Sequence, residues 1–522
     1  MPKCGCVKVL RINGFTCDIN TLTISRPPGM WLGYSNQINN SQSQSVNTSA
    51  SSKVVLHRHC PFRYCKPGNI DLKLESSIDD QCAFNRAGIL CGGCLSGFSV
   101  VLGTSRCREC ANWSIVLLLV FAVAGLVLVV FLAISNLTVA EGTISGLIFY
   151  TNVIQASQST FIGYPCEANA TITNAVYSKV LCALSVMIGW INLDLGIETC
   201  LYNGMDMYAK AWLQFLFPVY IWTVVTMMII VSHYSIVGSR ILGRNSHKVL
   251  ATLLLMSYAK ILDAVITVFS FTFLDYPEGR HVVWLYDGNV GYFRGKHIPL
   301  FIAAVLFTIA FLVPFTIIVL FIQCLQRRSW YCLLCWVRKL KPLLDAYTGP
   351  YKYKYRFWTG LLLLARLILF LVYASNSLGS TSFNVLLTGI TAMLLLTLES
   401  IFLGIYKHWS LNILETSFLL NLALLCVGTL YVEANDGNQS LVALISIGVV
   451  CVTFAGILTF QVTIRLKQLR CTCITNRRGD HLHQSMTNVE FHVPEEEPPQ
   501  DVEPLRLTFD ESGEFVLVHA EN

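Results

Sequence analysis

Charge is scarce in this chain. Of its 522 residues, 13% are Asp, Glu, Lys or Arg and 54% are apolar, where a soluble chain has about 25% charged residues. The apolar residues fall in long blocks, and the mean hydropathy is +0.56. That combination excludes an ordinary soluble domain and defines a polytopic membrane protein. The net charge of +6 is no argument for nucleic acid, because the basic residues cluster beside the apolar blocks. Catalytic signatures are missing too: there is no Walker loop, dinucleotide fingerprint, kinase set or zincin motif. No enzyme activity, cofactor or resident metal is therefore expected. A secretory leader is also missing, since MPKCGCVKVLRINGFTCDIN holds no apolar core of the needed length. A cysteine-rich ectodomain starting at Met1 without a leader leads us to expect a truncated N-terminus. Translocation by the first span is the other possibility.

What is present is organised around one junction, Cys82 to Leu132. On its left is CAFNRAGILCGGCLSGFSVVLGTSRCREC; on its right, with almost no spacer, is WSIVLLLVFAVAGLVLVVFLAI. The right half has the length and composition of a membrane-spanning helix. Ten of the 20 cysteines precede residue 111. Disulfides persist on the oxidising side of a membrane, so the junction orients the chain. Cys91, Cys94, Cys107 and Cys110 have the C-x2-C-x12-C-x2-C spacing of a zinc ribbon. Zinc needs thiolates, whereas secretion favours oxidation, and the adjoining span favours secretion. Disulfide candidates are Cys60, Cys65, Cys82, Cys91, Cys94, Cys107, Cys110, Cys166 and Cys200; Cys166 and Cys200 share a side and could pair. Sequons make Asn39, Asn47, Asn169 and Asn438 glycosylation candidates.

The expected fold class is an all-α polytopic bundle of about nine transmembrane helices, with a small disulfide-rich N-terminal ectodomain and a disordered C-terminal tail. The ectodomain is 1–110, the bundle 111–464 and the cytosolic tail 465–522. The spans are about 113–135, 143–162, 211–232, 249–274, 298–322, 357–378, 384–406, 412–432 and 441–464. The short apolar stretch 176–193 is expected to be re-entrant or interfacial, because a crossing there would invert every later loop. With the N-terminus outside, the short cytosolic loops and tail stub hold 17 basic residues and the outside loops four. That asymmetry is the positive-inside pattern. The tail from Gly479 is acidic, with EEEPPQDVEP at its centre, and is expected to be disordered. Its end, LRLTFDESGEFVLVH, alternates enough for a short strand or a docking peptide.

Charges inside spans are the best functional pointers in such a chain. Lys260 and Asp263 lie three apart on one helical face, as an ion-path element or as a self-neutralising structural pair. Arg366 and Glu399 lie at comparable depth on adjacent spans, where a packing pair or an ion site are the alternatives. Glu415 is expected at the interface. Asp194, Glu198, Asp206 and Lys210 could gather cations at the mouth of the bundle or form an ordinary polar cap. GNVGYFRG, Gly288–Gly295, shares only Val290, Gly291 and Tyr292 with a potassium-filter loop; an aromatic-glycine hairpin is the plainer reading. Cys332, Cys335, Cys471 and Cys473 suit lipidation at the cytosolic face.

Through CAFNRAGILCGGC, NLDLGIETCLYNGMDMYAKAWLQFLFP, VVWLYDGNV and LLDAYTGPYKYKYRFWTGLLLL, the chain resembles a family of multi-span proteins of invertebrates and protists, labelled G-protein-coupled-receptor-related. The resemblance runs from Cys4 to about Arg478. It implies a cysteine-rich module of the ephrin-receptor-like type followed by a bundle. The family's upstream β-solenoid repeats and leader are not in this sequence, and nine spans rather than seven count against coupling to G proteins. A looser similarity in layout is to TRP-like channels of fungi. The expected function is a plasma-membrane receptor or sensor, with a cation channel or transporter and a bundle-anchored adhesion protein as alternatives. Expected partners are the lipid bilayer, an extracellular ligand and a cytosolic partner at the acidic tail.

Overall fold

A computed structural model describes short strands within residues 16–34, most of 55–156, part of 188–193, residue 200, and 201–234, 246–323 and 335–434 apart from short breaks. Of residues 456–522 it describes two strands and isolated helical positions. Statements below concern those residues. The glycosylation candidates Asn39, Asn47, Asn169 and Asn438, and also Cys166, Asp194, Glu198, Cys332, Cys471 and Cys473, lie outside them. So do most of 176–193 and nearly all of the ninth apolar block.

The N-terminal region is built from short strands. Strands β1 (Thr16–Asp18), β2 (Thr23–Arg26) and β5 (Ile70–Lys73) form an antiparallel sheet, and β3 (Met30–Tyr34) pairs with β4 (Val55–His59). Two miniature hairpins follow, β6 (Arg86–Ala87) with β7 (Gly93–Cys94) and β8 (Ser99–Val100) with β9 (Cys107–Arg108). Segments this small bury too little apolar surface to hold themselves. Disulfides Cys60–Cys65, Cys82–Cys91 and Cys94–Cys107 cross-link them. Cys110 pairs with Cys200, which corrects the expected Cys166–Cys200 pairing. The four cysteines of zinc-ribbon spacing thus belong to three different disulfides.

Helices follow almost at once: α1 (Ser114–Ser135), α2 (Thr143–Ala156), α3 (Met207–Tyr234), α4 (Ser246–Phe269), α5 (His297–Leu320), α6 (Cys335–Thr348), α7 (Trp358–Ser375), α8 (Thr381–Ile401) and α9 (Trp409–Ala434). Six have the length and composition to cross a membrane: α1, α3, α4, α5, α7 and α9. The first of them has 22 residues, enough for about 33 Å. It exposes Val116, Leu119, Val123, Val127 and Phe131, an unpartnered apolar surface suited only to lipid. Helix α4 is the hub: 78% of its apolar stretch is buried, against 50% or less for the other five. Within α5 the backbone widens into a π turn at Thr308–Leu312, just ahead of Pro314. A proline lacks the N–H of the regular ladder, and a local π turn is one way a helix absorbs that loss.

The chain is not all-α between α4 and α5. Strands β10 (Phe271–Tyr276), β11 (Gly279–Trp284) and β12 (Asp287–Gly291) form an antiparallel sheet with a bulge at Val283–Trp284. Sequence reading extended the fourth span to Leu274; the helix ends at Phe269. From there the pattern alternates, with Phe271 and Phe273 exposed and Thr272 and Leu274 buried, which is the period of a strand. We call this sheet the lid. Residues 288–291 lie in its last strand, an ordinary hairpin position. Residues 456–522 form a separate compact unit, in which β13 (Arg506–Phe509) pairs antiparallel with β14 (Phe515–Val518). The alternation in LRLTFDESGEFVLVH thus produces a hairpin within a tail expected to be disordered.

Candidate functional site

Two places gather the polar chemistry of the bundle: the seam where the cystine module meets the lid, and a charged cluster among helices at the opposite end.

At the seam, Leu274 and Val283 of the lid share a buried core with Trp31, Tyr64, Cys65, Leu90 and Cys91 of the module. Two glycines allow the backbones to touch. A Cβ on Gly92 would lie 2.6 Å from the Asp287 Cα, and one on Gly288 would lie 2.8 Å from the Ile89 carbonyl oxygen. Arg86 is almost fully buried here. Its Nη1 donates to the carbonyls of Cys91 (2.9 Å) and Gly92 (3.1 Å), and its guanidinium carbon sits 3.4 Å from the centre of the Tyr64 ring. Across the seam, Asp287 accepts from the Asn289 backbone N–H (3.1 Å) and side-chain amide (3.0 Å). Burial pushes the Asp287 carboxyl above the usual carboxylate range and lowers Arg86, because both lose water that would solvate their charge.

The lid in turn is tied to the top of α4. Trp284 Nε1 donates to the Thr267 carbonyl at 2.8 Å, and the Leu285 N–H to the Ser270 carbonyl at 3.1 Å. His297, at the start of α5, accepts from the Phe293 N–H through Nδ1 (3.2 Å) and reaches the Val268 carbonyl through Nε2 (3.2 Å). These two bonds together fix the tautomer with the proton on Nε2. Tyr286 is held well above its usual titration range, first by burial and then by the Asp263 carboxylate. Asp263 therefore faces the lid. Lys260, one turn earlier, is buried. A second tie joins the module to α3. Lys210 Nζ donates to the Val101 carbonyl at 3.0 Å, the Gly204 N–H to Ser99 Oγ at 2.7 Å, and the Cys110–Cys200 disulfide closes the contact. Asp206 accepts from the Ala209 N–H at 2.8 Å. It is thus the N-cap of α3.

At the opposite end, Arg366 of α7 is fully buried. Its Nη2 donates to the Ser145 carbonyl of α2 at 3.3 Å and its guanidinium lies 5.5 Å from the centre of the Phe149 ring, while Nε and Nη1 have no hydrogen-bond partner. The acid that senses its field is Glu415 of α9, not Glu399 as adjacency of the spans suggested. Glu415, expected at the interface, is buried among the helices, 3% exposed. It accepts from Trp358 Nε1 at 2.8 Å and bonds the Tyr406 hydroxyl. The Tyr406 and Tyr351 hydroxyls lie 3.4 Å apart, and Thr359 Oγ1 donates to Tyr351 at 3.1 Å. Glu399 of α8 lies beside Thr416 and within the field of Glu415. Neither of its carboxylate oxygens makes a hydrogen bond of normal geometry. An ionised carboxylate so poorly paired would be costly, which makes this cluster the candidate polar site inside the bundle.

Three members of the polar framework were not singled out from sequence. Asn192 inserts between turns of α2: its Nδ2 donates to the Thr151 carbonyl at 3.0 Å, and its Oδ1 accepts from Thr151 Oγ1 and from the Asn152 side-chain amide. Trp358 and Tyr406 close over Glu415. Aromatics at the ends of apolar blocks carry little signal, because membrane interfaces are rich in them anyway.

Fold and site together define a mostly helical membrane protein with a disulfide-rich N-terminal region locked to the bundle through a β-lid. No protein-family model, curated protein or solved structure matches the chain.

Proposed function

We propose that this protein is a cell-surface receptor or sensor of nine spans, with its cystine module outside and its C-terminus in the cytosol. Six described helices, α1, α3, α4, α5, α7 and α9, have the length and composition to span; α2, α8 and the apolar block 441–464 would be the other three. The basic residues of the loops supply the orientation. The resemblance to the G-protein-coupled-receptor-related family supports the same arrangement. One observation carries the sensor role: the module shares a buried core with a lid that is hydrogen-bonded to the end of the hub helix. A ligand that shifts the module therefore moves α4. Helix α7, which carries Arg366, packs against α4, so the far cluster is in reach of that motion. Coupling of this kind requires a two-state element that both ends bias.

The test uses the full chain in liposomes and an antibody fragment raised against the module. Binding should alter amide exchange at residues 263–270 and around Glu415. Unchanged exchange at both places would refute the coupling. The poorly paired Glu399 favours a second reading, a cation channel or transporter. Potassium or proton flux that Glu399→Gln abolishes would select it over the receptor.

A further inference from the structure

The lid has two faces: one packs against the module, and the other is covered at Trp284, opposite Phe271, but open over its outer part. In an antiparallel pair, directly opposite residues share a face. Leu274 and Val283 point into the module core. Phe273 stands opposite Val282, and with Phe271 they form the other face. Phe271 is 46% exposed, Phe273 38% and Val282 36%. We propose that this face lies in the outer edge of the bilayer, so that the lid is a lipid-seated element and not a loop in water.

Continuity with the lipid-facing side of α5 identifies the occupant. Phe271 contacts Tyr292 (5.1 Å), Tyr292 contacts Phe301 (6.0 Å), and Phe293 meets the same Phe301 ring at 5.1 Å. Phe301 belongs to α5, whose exposed stripe begins at Ile298 and runs through Ile302, Leu306 and Ile309. The apolar surface of the span thus continues without a break onto the sheet. Charge is arranged to match. The segments joining helices at this end carry four basic residues, and three of them, Arg280, Arg294 and Lys296, belong to the lid and its exit turn. The Arg280 guanidinium carbon lies 5.1 Å from the centre of the Phe273 ring, so a cation sits against the aromatic patch. Aromatic rings flanked by basic side chains are the composition of a membrane interface, where the rings enter the acyl boundary and the cations meet headgroup phosphates. The inference goes beyond the receptor reading and requires only that α5 spans the bilayer. It makes bilayer composition an input to the element that joins module to hub.

The test is site-specific photocross-linking in the full chain. p-Azidophenylalanine replaces Phe273 or Phe293, a near-isosteric change. Ile302 on α5 serves as the lipid-facing control and Leu95, exposed on the module, as the aqueous control. In phosphatidylcholine nanodiscs, illumination should give lipid adducts at positions 273 and 293 with yields close to that at 302 and several-fold above that at 95. Yields at 273 and 293 no higher than at 95, or adducts to a second protein chain in place of lipid, would overturn the proposal. The Ile302 arm reports separately on whether the span itself is in lipid.

Discussion

Arg366 and Glu415 show why a charge inside an apolar helix must be judged by its surroundings and not by its sequence neighbours. Depth along the chain placed Glu415 near an interface, only six residues into α9. The residues that bury it, Trp358 and Tyr406, come from other segments, so no local signal reveals them. The pair defines a measurable coupling. Arg366 Nε and Nη1 and Glu415 Oε2 have no hydrogen-bond partner, so any coupling between the two charges acts through the polar groups between them. A cycle of Arg366→Met, Glu415→Gln and the double variant should give a coupling of about 0.5–3 kcal/mol in thermal unfolding. A double variant as unstable as the sum of the singles would mean that the two charges do not interact. Asp287 makes the opposite kind of test at the seam. Its unfolded carboxyl titrates near 3.8 and its folded one higher. Between those values the folded form holds a proton that the unfolded form has shed. The seam is thus steadiest below about 3.8 and loses that increment as pH rises through the folded value. Amide exchange at Gly288 and Asn289, corrected for intrinsic rate, should slow on acidification, and Asp287→Asn should remove the dependence.

At the scale of elements, the long apolar helices were legible because composition alone decides them. A stretch such as Ser114–Ser135 without one charge has few other fates. The lid was not legible as a sheet, for a physical reason. SFTFL follows α4 directly, and a run of apolar residues looks the same to a hydropathy window whether its period is 3.6 or 2. Only burial separates them: Thr272 and Leu274 face the module while Phe271 and Phe273 face away. The two glycines that let module and lid touch, Gly92 and Gly288, lie far apart in sequence. Their complementarity exists only once β12 is laid against the turn at Ile89–Cys91. The cysteine framework was half legible. Even numbers and compartment argue for disulfides, but the choice of Cys110 as the partner of Cys200 depends on α3 starting beside the module, which spacing cannot encode.

For the whole molecule, the ordering of parts along the bundle axis follows from a small number of constraints. The module and lid occupy one end, with Cys110–Cys200 and Trp284 as their ties. The Arg366–Glu415 cluster occupies the other, within about 12 Å of the start of α7 by helix rise. The segments expected in the cytosol hold 17 basic residues against four in those expected outside, and such crowding is what retains a segment in the cytosol during insertion. Disulfides at the first end independently require an oxidising compartment. Two unrelated forces, the retention of positive charge and thiol chemistry, therefore argue for the same proposed orientation. Epitope tags at Met1 and Asn522 test it directly. In intact cells an impermeant antibody should label the Met1 tag alone, and the Asn522 tag should become reachable only after the membrane is opened. Labelling of Asn522 but not Met1 would place the cystines in a reducing compartment and invert the direction in which any signal through α4 could travel.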